Sequence, residues 1–519
     1  YWMGSKTLCS QIQAPFPLGF SVVRGHLTLN TIDSQTRAIL VGICLPHSCL
    51  KEDIEVLFNW SVKMDPAAYE RSFELKQVRT PQQYYNMFHD STFWLLCTKC
   101  ILSSEIVTDI LLAFSVRRNM AQICDKKVDI DTLPTVHGLR AINMAWVILG
   151  HTCIIAFKYS DNMEYKRMIE KEFLFQAINN AAFAVDSFFF ISGLLVSFLY
   201  FRTTARMDVT KITKTTGIKS NCLEFVGLLI YRFGRLTTPY FFMIGVVEVA
   251  MKWFYYNSVF EVPADDHVNC PNYWWRNILY INTLSLWYLA NDTQFYIIGV
   301  ILLIVAVKRF RIAAVVMTFF LVTSWFVTGF IAYTNKHIPN VDDPLALFDK
   351  IYDKPWTRFG PYMVGMSVGW ILFKTDSSIC GWTASTLGLL GLLVGLYGQD
   401  LHPVTAASYS ALSHSLWALC LAWIVIACST GKGGVVNRFL SSPLWYPYSR
   451  VTYCAYLVHP IVMRSMVMTR DSPVHLSTVF FFGQLVVSYI FSFLLSLAFE
   501  APVVSLLRLI SPKKEKRQS

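Results

Sequence analysis

Arg140 and His151 stand eleven residues apart in the apolar run His137-Gly-Leu-Arg140 through Gly150-His151, and they are the pair of side chains with the clearest chemistry in this sequence. At about 100° of rotation per residue, eleven residues bring the second side chain back to within about 20° of the first. Both therefore share one helix face, about 16 Å apart along its axis. That spacing sets Arg140 near a membrane boundary and His151 near mid-bilayer, a depth at which an ionisable group is costly and marks function. A neutral imidazole in a dry site can take the proton of a hydroxyl as its oxygen attacks an acyl carbonyl, so His151 is a candidate general base. Packing against a neighbouring helix is the other account of it.

Four further groups carry polar residues into apolar surroundings. Asp186, in Ala184-Val-Asp186-Ser-Phe-Phe-Phe-Ile-Ser192-Gly193, needs a partner there. Orienting the His151 base is one reading, with His151 or Arg140 as partner, and a structural ion pair is the other. Arg232 and Arg235, three residues apart and on one face, stand at the cytosolic mouth of a later span. Paired guanidiniums suit the phosphates of an acyl-coenzyme A, and topological anchoring also explains them. Trp287, Asn291, Asp292, Gln294 and Tyr296 gather in ten residues. An interfacial belt accounts for the aromatic members, whereas Asp292 and Gln294 are candidates for acceptor recognition. His459 precedes Pro460 within a span, where a proline frees backbone carbonyls that a histidine can bind.

The elements that hold these residues are membrane helices. The chain of 519 residues is 54% hydrophobic and 15% charged, with many apolar runs near the length of about 20 residues that crosses hydrocarbon. Its net charge of +11 comes from short loops between those runs, so no nucleic-acid surface is implied. The expected fold is an all-α polytopic bundle of about ten spans, at 140–157, 181–201, 236–256, 294–307, 312–333, 359–374, 382–398, 411–428, 448–467 and 477–499. Basic loops at 202–235, Lys308–Arg311 and Lys513–Arg517 alternate with acidic or balanced ones, which places the start of the Arg140 helix and the C-terminus in the cytosol.

Residues 1–90 read as a separate N-terminal domain with Cys9, Cys44 and Cys49, where a disulfide framework in an oxidising compartment is preferred to a metal site. The sequon Asn59-Trp-Ser61 fits the same compartment. Residues 91–130 form a linker whose run 91–115 is long enough to span but carries Lys99, Glu105 and Asp109. The transmembrane domain occupies 131–505 and a basic cytosolic tail 506–519. Lys516 and Arg517 in that tail resemble a di-basic retrieval signal, pointing to the endoplasmic reticulum ahead of the plasma membrane. The opening on Tyr1 points to a processed or partial chain. No serine-hydrolase elbow, phosphate loop, zinc-protease helix or dinucleotide fingerprint appears.

Taken in order, His137-Gly-Leu-Arg140 to His151, Val185-Asp186 to Ser192-Gly193, Arg232-x-x-Arg235 with Pro239-Tyr240, Trp287 to Tyr296, and Tyr456-Leu-Val-His459-Pro460 resemble the acyltransferase-3 membrane family. Gly42-Ile-Cys44-Leu-Pro-x-Ser-Cys49 and Tyr288-Leu-Ala-Asn-Asp-x-Gln-Phe-Tyr296 look like its animal branch, the nose resistant to fluoxetine family, over nearly the whole chain. The resemblance implies acyl transfer from cytosolic acyl-coenzyme A to a hydroxyl acceptor, a lipid, sterol or glycan, at or across the membrane. In that scheme Arg140 and His151 match the arginine and histidine of the first bundle helix, and Arg232 and Arg235 match the Arg-x-x-Arg. No permanently bound cofactor and no metal are expected. Bacterial members show Glu-Glu-Gln-Phe-Tyr where this chain has Asp292-Thr-Gln-Phe-Tyr296, so any role of the second acid is lost. Relatives carry a clean apolar span before the segment matched here by Phe114–Asn119; the charged 91–115 in its place points to a lost exon, and a real loss would leave the N-terminal domain cytosolic. The alternative function on the same fold is lipid or small-molecule transport without chemistry.

Overall fold

A computed structural model describes residues 4–29, 36–64, 71–79, 87–92, 94, 113–127, 133–162, 172–206, 218–262, 266–281, 287–337, 347–374, 381–395, 401–475 and 477–510. Most of the expected span 91–115 and the basic tail from 511 onward lie outside these residues.

The N-terminal unit is not helical throughout. Helix α1 (Lys6–Gln11) leads into strand β1 (Leu18–Leu29), which pairs antiparallel with β2 (Thr36–Pro46) on one side and β3 (Arg71–Arg79) on the other. Alternation along β1 decides what each face meets. Val23 packs with Val78 and with Ile54 of helix α2 (Lys51–Lys63), while Phe20 and Val22 pack with Tyr159, Val259 and Phe260 of the helical body. The sheet is a layer between α2 and the bundle. A disulfide joins Cys9 to Cys44, closing a separation of 35 residues, and Cys49 bonds to no described cysteine. The all-α expectation is therefore corrected here, because a period of two runs through Leu18, Phe20 and Val22.

Beyond the short helix α3 (Val116–Cys124), whose C-terminal end is bound by Arg450 through the carbonyls of Gln122 and Ile123, the chain is a helical bundle. Its helices are α4 (Pro134–Tyr159), α5 (Ala182–Arg206), α6 (Ile218–Asn257), α7 (Asp266–Ile278), α8 (Trp287–Thr334), α9 (Pro355–Lys374), α10 (Trp382–Val394), α11 (Pro403–Ser429), α12 (Thr452–Met468), α13 (Thr478–Leu495) and α14 (Ala501–Ile510). Among the described residues four helical stretches are long and apolar enough to cross a membrane: Pro134–Ile155, Ala182–Ala205, Pro403–Ser429 and Thr478–Leu507. That is fewer than the ten expected. The other expected ranges fall on helices that depart from a plain apolar rod. Arg232, Arg235 and Pro239 interrupt α6, α8 breaks at Arg309 (φ −141°, ψ 69°), α10 is short, and α9 and α12 carry Arg358, His459 and Arg464.

Lys308 near that break bonds to Asn221 at the start of α6, while the far end of α6 meets the sheet unit through Lys6 on the Asn257 carbonyl and Arg79 on the carbonyls of Phe254 and Tyr255. The sheet and the basic turn thus lie at opposite ends of the 40-residue α6.

Helices α5 and α9 touch along their backbones. A methyl group at Gly365 would overlap the Phe190 carbonyl, and one at Gly193 would overlap the Tyr362 carbonyl. With only packing to hold helices together in lipid, small residues at such a contact let the two backbones close. Gly365→Leu is expected to lower stability by about 1–3 kcal/mol or more by forcing the pair apart. Thermal unfolding in detergent checks this against Gly227→Leu, where the added side chain meets open space.

Candidate functional site

Histidines from two helices meet in the bundle interior. His151 on α4 and His459 on α12 stack with ring centroids 5.0 Å apart and an interplanar angle of 28°. His459 Nδ1 lies 3.0 Å from the Ala455 carbonyl oxygen one turn earlier, and its Nε2 lies 3.0 Å from His151 Nδ1. These two distances fix the proton arrangement of a neutral pair. A carbonyl can only accept, so His459 Nδ1 carries its proton and His459 Nε2 is left as acceptor. His151 Nδ1–H must then donate, which leaves His151 Nε2 with a free lone pair. Pro460, which follows His459 inside α12, has no N–H for the Tyr456 carbonyl one turn earlier, so the backbone bonding of the helix is interrupted next to this histidine.

Arg140 stands eleven residues below His151 on the same helix and makes no hydrogen bond or ion pair with a described residue. It lies within electrostatic reach of Arg235, Glu500, Tyr288 and Asp292. Arg232 is ion-paired with Asp292 and sits over the Tyr296 ring at 4.2 Å. Arg235 approaches Glu500 at 3.5 Å, and Glu500 also takes bonds from Cys454 and Ser496 at 3.3 Å. Among the described residues three guanidiniums here face two carboxylates, which leaves one positive charge in excess.

Depth along the helices changes the expected placement. Asn221, level with Lys308, precedes Arg232 by eleven residues, about 16 Å of helix. Arg232 and Arg235 therefore stand about three helical turns beyond the level of Lys308, and Asp292, expected at the far end of its span, reaches Arg232 there. Above them the Tyr288 and Tyr456 rings pack at 5.1 Å, and Tyr456 packs on His459 at 5.8 Å. Polar side chains thus follow one another from Arg140 through Tyr288 and Tyr456 to His459 and His151. Five residues past His459, Arg464 is paired with Asp266 at 2.8 Å.

The remaining acceptor candidates hold the protein itself. Trp287 packs on Tyr352 at 4.9 Å, and Asn291, fully buried, donates to the Asp353 carbonyl at 2.9 Å. Gln294 donates to the Tyr280 carbonyl at 3.2 Å and Tyr296 to that of Leu228 at 3.3 Å.

Asp186 stands apart from His151. Its carboxylate accepts two bonds from Arg358 Nη1, at 3.0 and 3.1 Å, and one from His414 Nδ1 at 2.7 Å. The partner expected for it, His151 or Arg140, is replaced by a buried Arg358 on α9 and a partly buried His414 on α11. Arg358 is further held by its Nε on the Tyr352 carbonyl at 3.1 Å and by the face of the Tyr352 ring at 4.5 Å. Arg358 and His414 escaped the sequence reading, although a charged residue within an apolar helix was the available signal for each. Among the described residues no group of three or more His, Cys, Asp or Glu side chains could hold a metal.

Comparison with known proteins places these residues in a wider setting. The family described as an acyltransferase domain matches residues 133–500, which includes every side chain of the two clusters. Nose resistant to fluoxetine protein 6 of Caenorhabditis elegans is 27% identical over 89% of this chain, and the match spans 65% of that protein's length. No solved structure matches the chain.

Proposed function

This chain belongs to the acyltransferase-3 family, and from that premise we propose that it moves an acyl group from cytosolic acyl-coenzyme A to a hydroxyl acceptor, a lipid, sterol or glycan, at or across the membrane. The observation that carries the reading is the hydrogen-bonded order Ala455 carbonyl, His459, His151, which supports an unprotonated Nε2 on His151. In the reaction the acceptor hydroxyl gives its proton to that nitrogen as its oxygen bonds to the thioester carbon. The carbon–sulfur bond breaks, and the leaving thiolate takes the proton back from His151. His459 is assigned here to positioning the base instead of contacting the acceptor, and Asp186 to stabilising the bundle. Arg140 is the guanidinium offered to the donor's phosphates, with Arg235, the more exposed and loosely paired of the other two, beside it.

Two measurements test these roles. Acyl-coenzyme A should raise the melting temperature of the purified protein in detergent, and Arg140→Gln should weaken its binding about tenfold or more through loss of one charge-assisted contact. Absence of any stabilisation would count against the enzyme. His459→Phe should lower kcat by less than the about 10²–10⁴-fold attributable to a general base, with the donor's KM unchanged, because it disturbs only the orientation of His151.

A second reading has its own support. The unbroken succession of polar side chains from Arg140 to His151 also suits passage of a lipid or small molecule without chemistry. It predicts no binding of acyl-coenzyme A. For residence we propose the endoplasmic reticulum or the plasma membrane, with the disulfide-bonded N-terminal unit on the extracytosolic side.

A further inference from the structure

Two tyrosines stand between the arginines and the histidine pair. Tyr288 lies in the first turn of α8, and Tyr456 lies three residues before His459 on α12, within about 60° of the same helix face. Aromatic neighbours fix both rings. Tyr288 packs on Phe189 at 4.7 Å and on Tyr456 at 5.1 Å, and Tyr456 packs on His459 at 5.8 Å.

Their hydroxyls, by contrast, hold nothing in the fold. Other interior tyrosines tie theirs to the protein: Tyr159 donates to the Glu261 carbonyl at 2.7 Å, Tyr453 to that of Leu236 at 2.7 Å and Tyr409 to that of Leu392 at 3.1 Å. Neither Tyr288 nor Tyr456 makes a hydrogen bond through its hydroxyl among the described residues. Asp292 lies within electrostatic reach of both, yet it accepts from Arg232 at one oxygen and its other oxygen is unbonded. The two side chains lie deep in the bundle and keep part of their surface open, so they border interior space. A phenol at such depth is a donor in want of an acceptor, because buried polar groups are normally bonded.

Position says which acceptor. Tyr288 is within electrostatic reach of Arg140, the guanidinium offered to the acyl donor, and Tyr456 touches the histidine that orients the base. We propose that Tyr288 and Tyr456 are further catalytic residues, two phenolic donors that bind the carbonyl oxygen of the thioester and hold its negative charge as the acceptor attacks. The assignment rests on the acyl-transfer reading. As the acceptor oxygen bonds to the carbonyl carbon, its proton passes to His151 Nε2 and the carbonyl π pair moves onto oxygen, where both phenols donate hydrogen bonds. That pair then returns, the carbon–sulfur bond breaks, and the thiolate takes the proton from His151. Each phenol keeps its own proton throughout.

The test uses the full chain with acetyl- and palmitoyl-coenzyme A, each isotope-labelled at the thioester carbonyl, and has two readings. In detergent, the infrared stretch of the bound carbonyl should move to lower wavenumber than in buffer, and Tyr288→Phe and Tyr456→Phe should each move it back towards the free value. In native-lipid discs, release of free coenzyme A should fall by about 10²–10³-fold in kcat for either variant, the loss typical of one oxyanion donor, with the donor's KM unchanged. Tyr409→Phe removes a hydroxyl that the fold does use and should alter neither the stretch nor kcat. A stretch unshifted in the unaltered protein, a shift that survives in either variant, or undiminished turnover once the shift is lost overturns the proposal and leaves the acyl-transfer reading standing. Failure of both thioesters to bind overturns the two together. The infrared reading needs no turnover, so it decides the assignment without knowledge of the acceptor.

Discussion

Substitution of His151 by alanine should lower acyl transfer by about 10²–10⁴-fold, the contribution of a positioned general base, while the protein remains folded. The expectation follows from the hydrogen-bond order in the pair. His459 donates its Nδ1–H to the Ala455 carbonyl and, when neutral, can only accept at Nε2, so in the proposed reaction His151 starts with Nε2 unprotonated. Alanine removes that lone pair and leaves His459 Nε2 without a donor, a modest structural cost of about 1–3 kcal/mol. The measurement is release of free coenzyme A from an acyl-coenzyme A by protein in native-lipid discs, with melting temperature as the check on folding. Full activity in a folded His151→Ala protein would sink the mechanism.

The largest effect on stability is expected at Arg358. Its side chain is only 2% exposed and that of Asp186 not at all, so Arg358→Met leaves an uncompensated carboxylate inside the bundle. Loss of one partner of such a pair costs about 3–5 kcal/mol. His414 does not fully replace it, because a neutral imidazole neutralises no charge. The double variant Arg358→Met with Asp186→Leu should recover most of the loss, since removing both charges removes the penalty. Thermal unfolding of the single and double variants decides the matter, and losses that simply add would refute the buried-charge account. Acyl transfer in the double variant should survive, which separates Asp186 from the base it was expected to orient.

The sequence made some of this legible because periodicity speaks within one helix. Arg140 and His151 share a helix face by count alone, and the structure has both on α4. Contacts between helices are a different matter, because nothing in local spacing says which neighbour a side chain will meet. Asp186 needed a partner, and its actual partners lie 172 and 228 residues downstream. His459 bonds the Ala455 carbonyl within its own helix, but its contact with His151 across 308 residues could not be counted from either position. The basic residues Arg232 and Arg235 read as topology signals in the sequence, and their pairing with Asp292 and Glu500 across α6 is not countable from their spacing. In the N-terminal unit the strand signal is weak in the sequence, because Val23 is as apolar as Val22 and blurs the alternation that Phe20, Ser21 and Val22 begin.

The separation of the two histidines also bears on how the protein is made. The first of them leaves the ribosome with α4 and the second only with α12, so until then the growing chain carries His151 with the tautomer-setting neighbour still missing. A partly synthesised or C-terminally truncated product therefore inserts Arg140 and His151 without the neighbour that sets the tautomer of the imidazole.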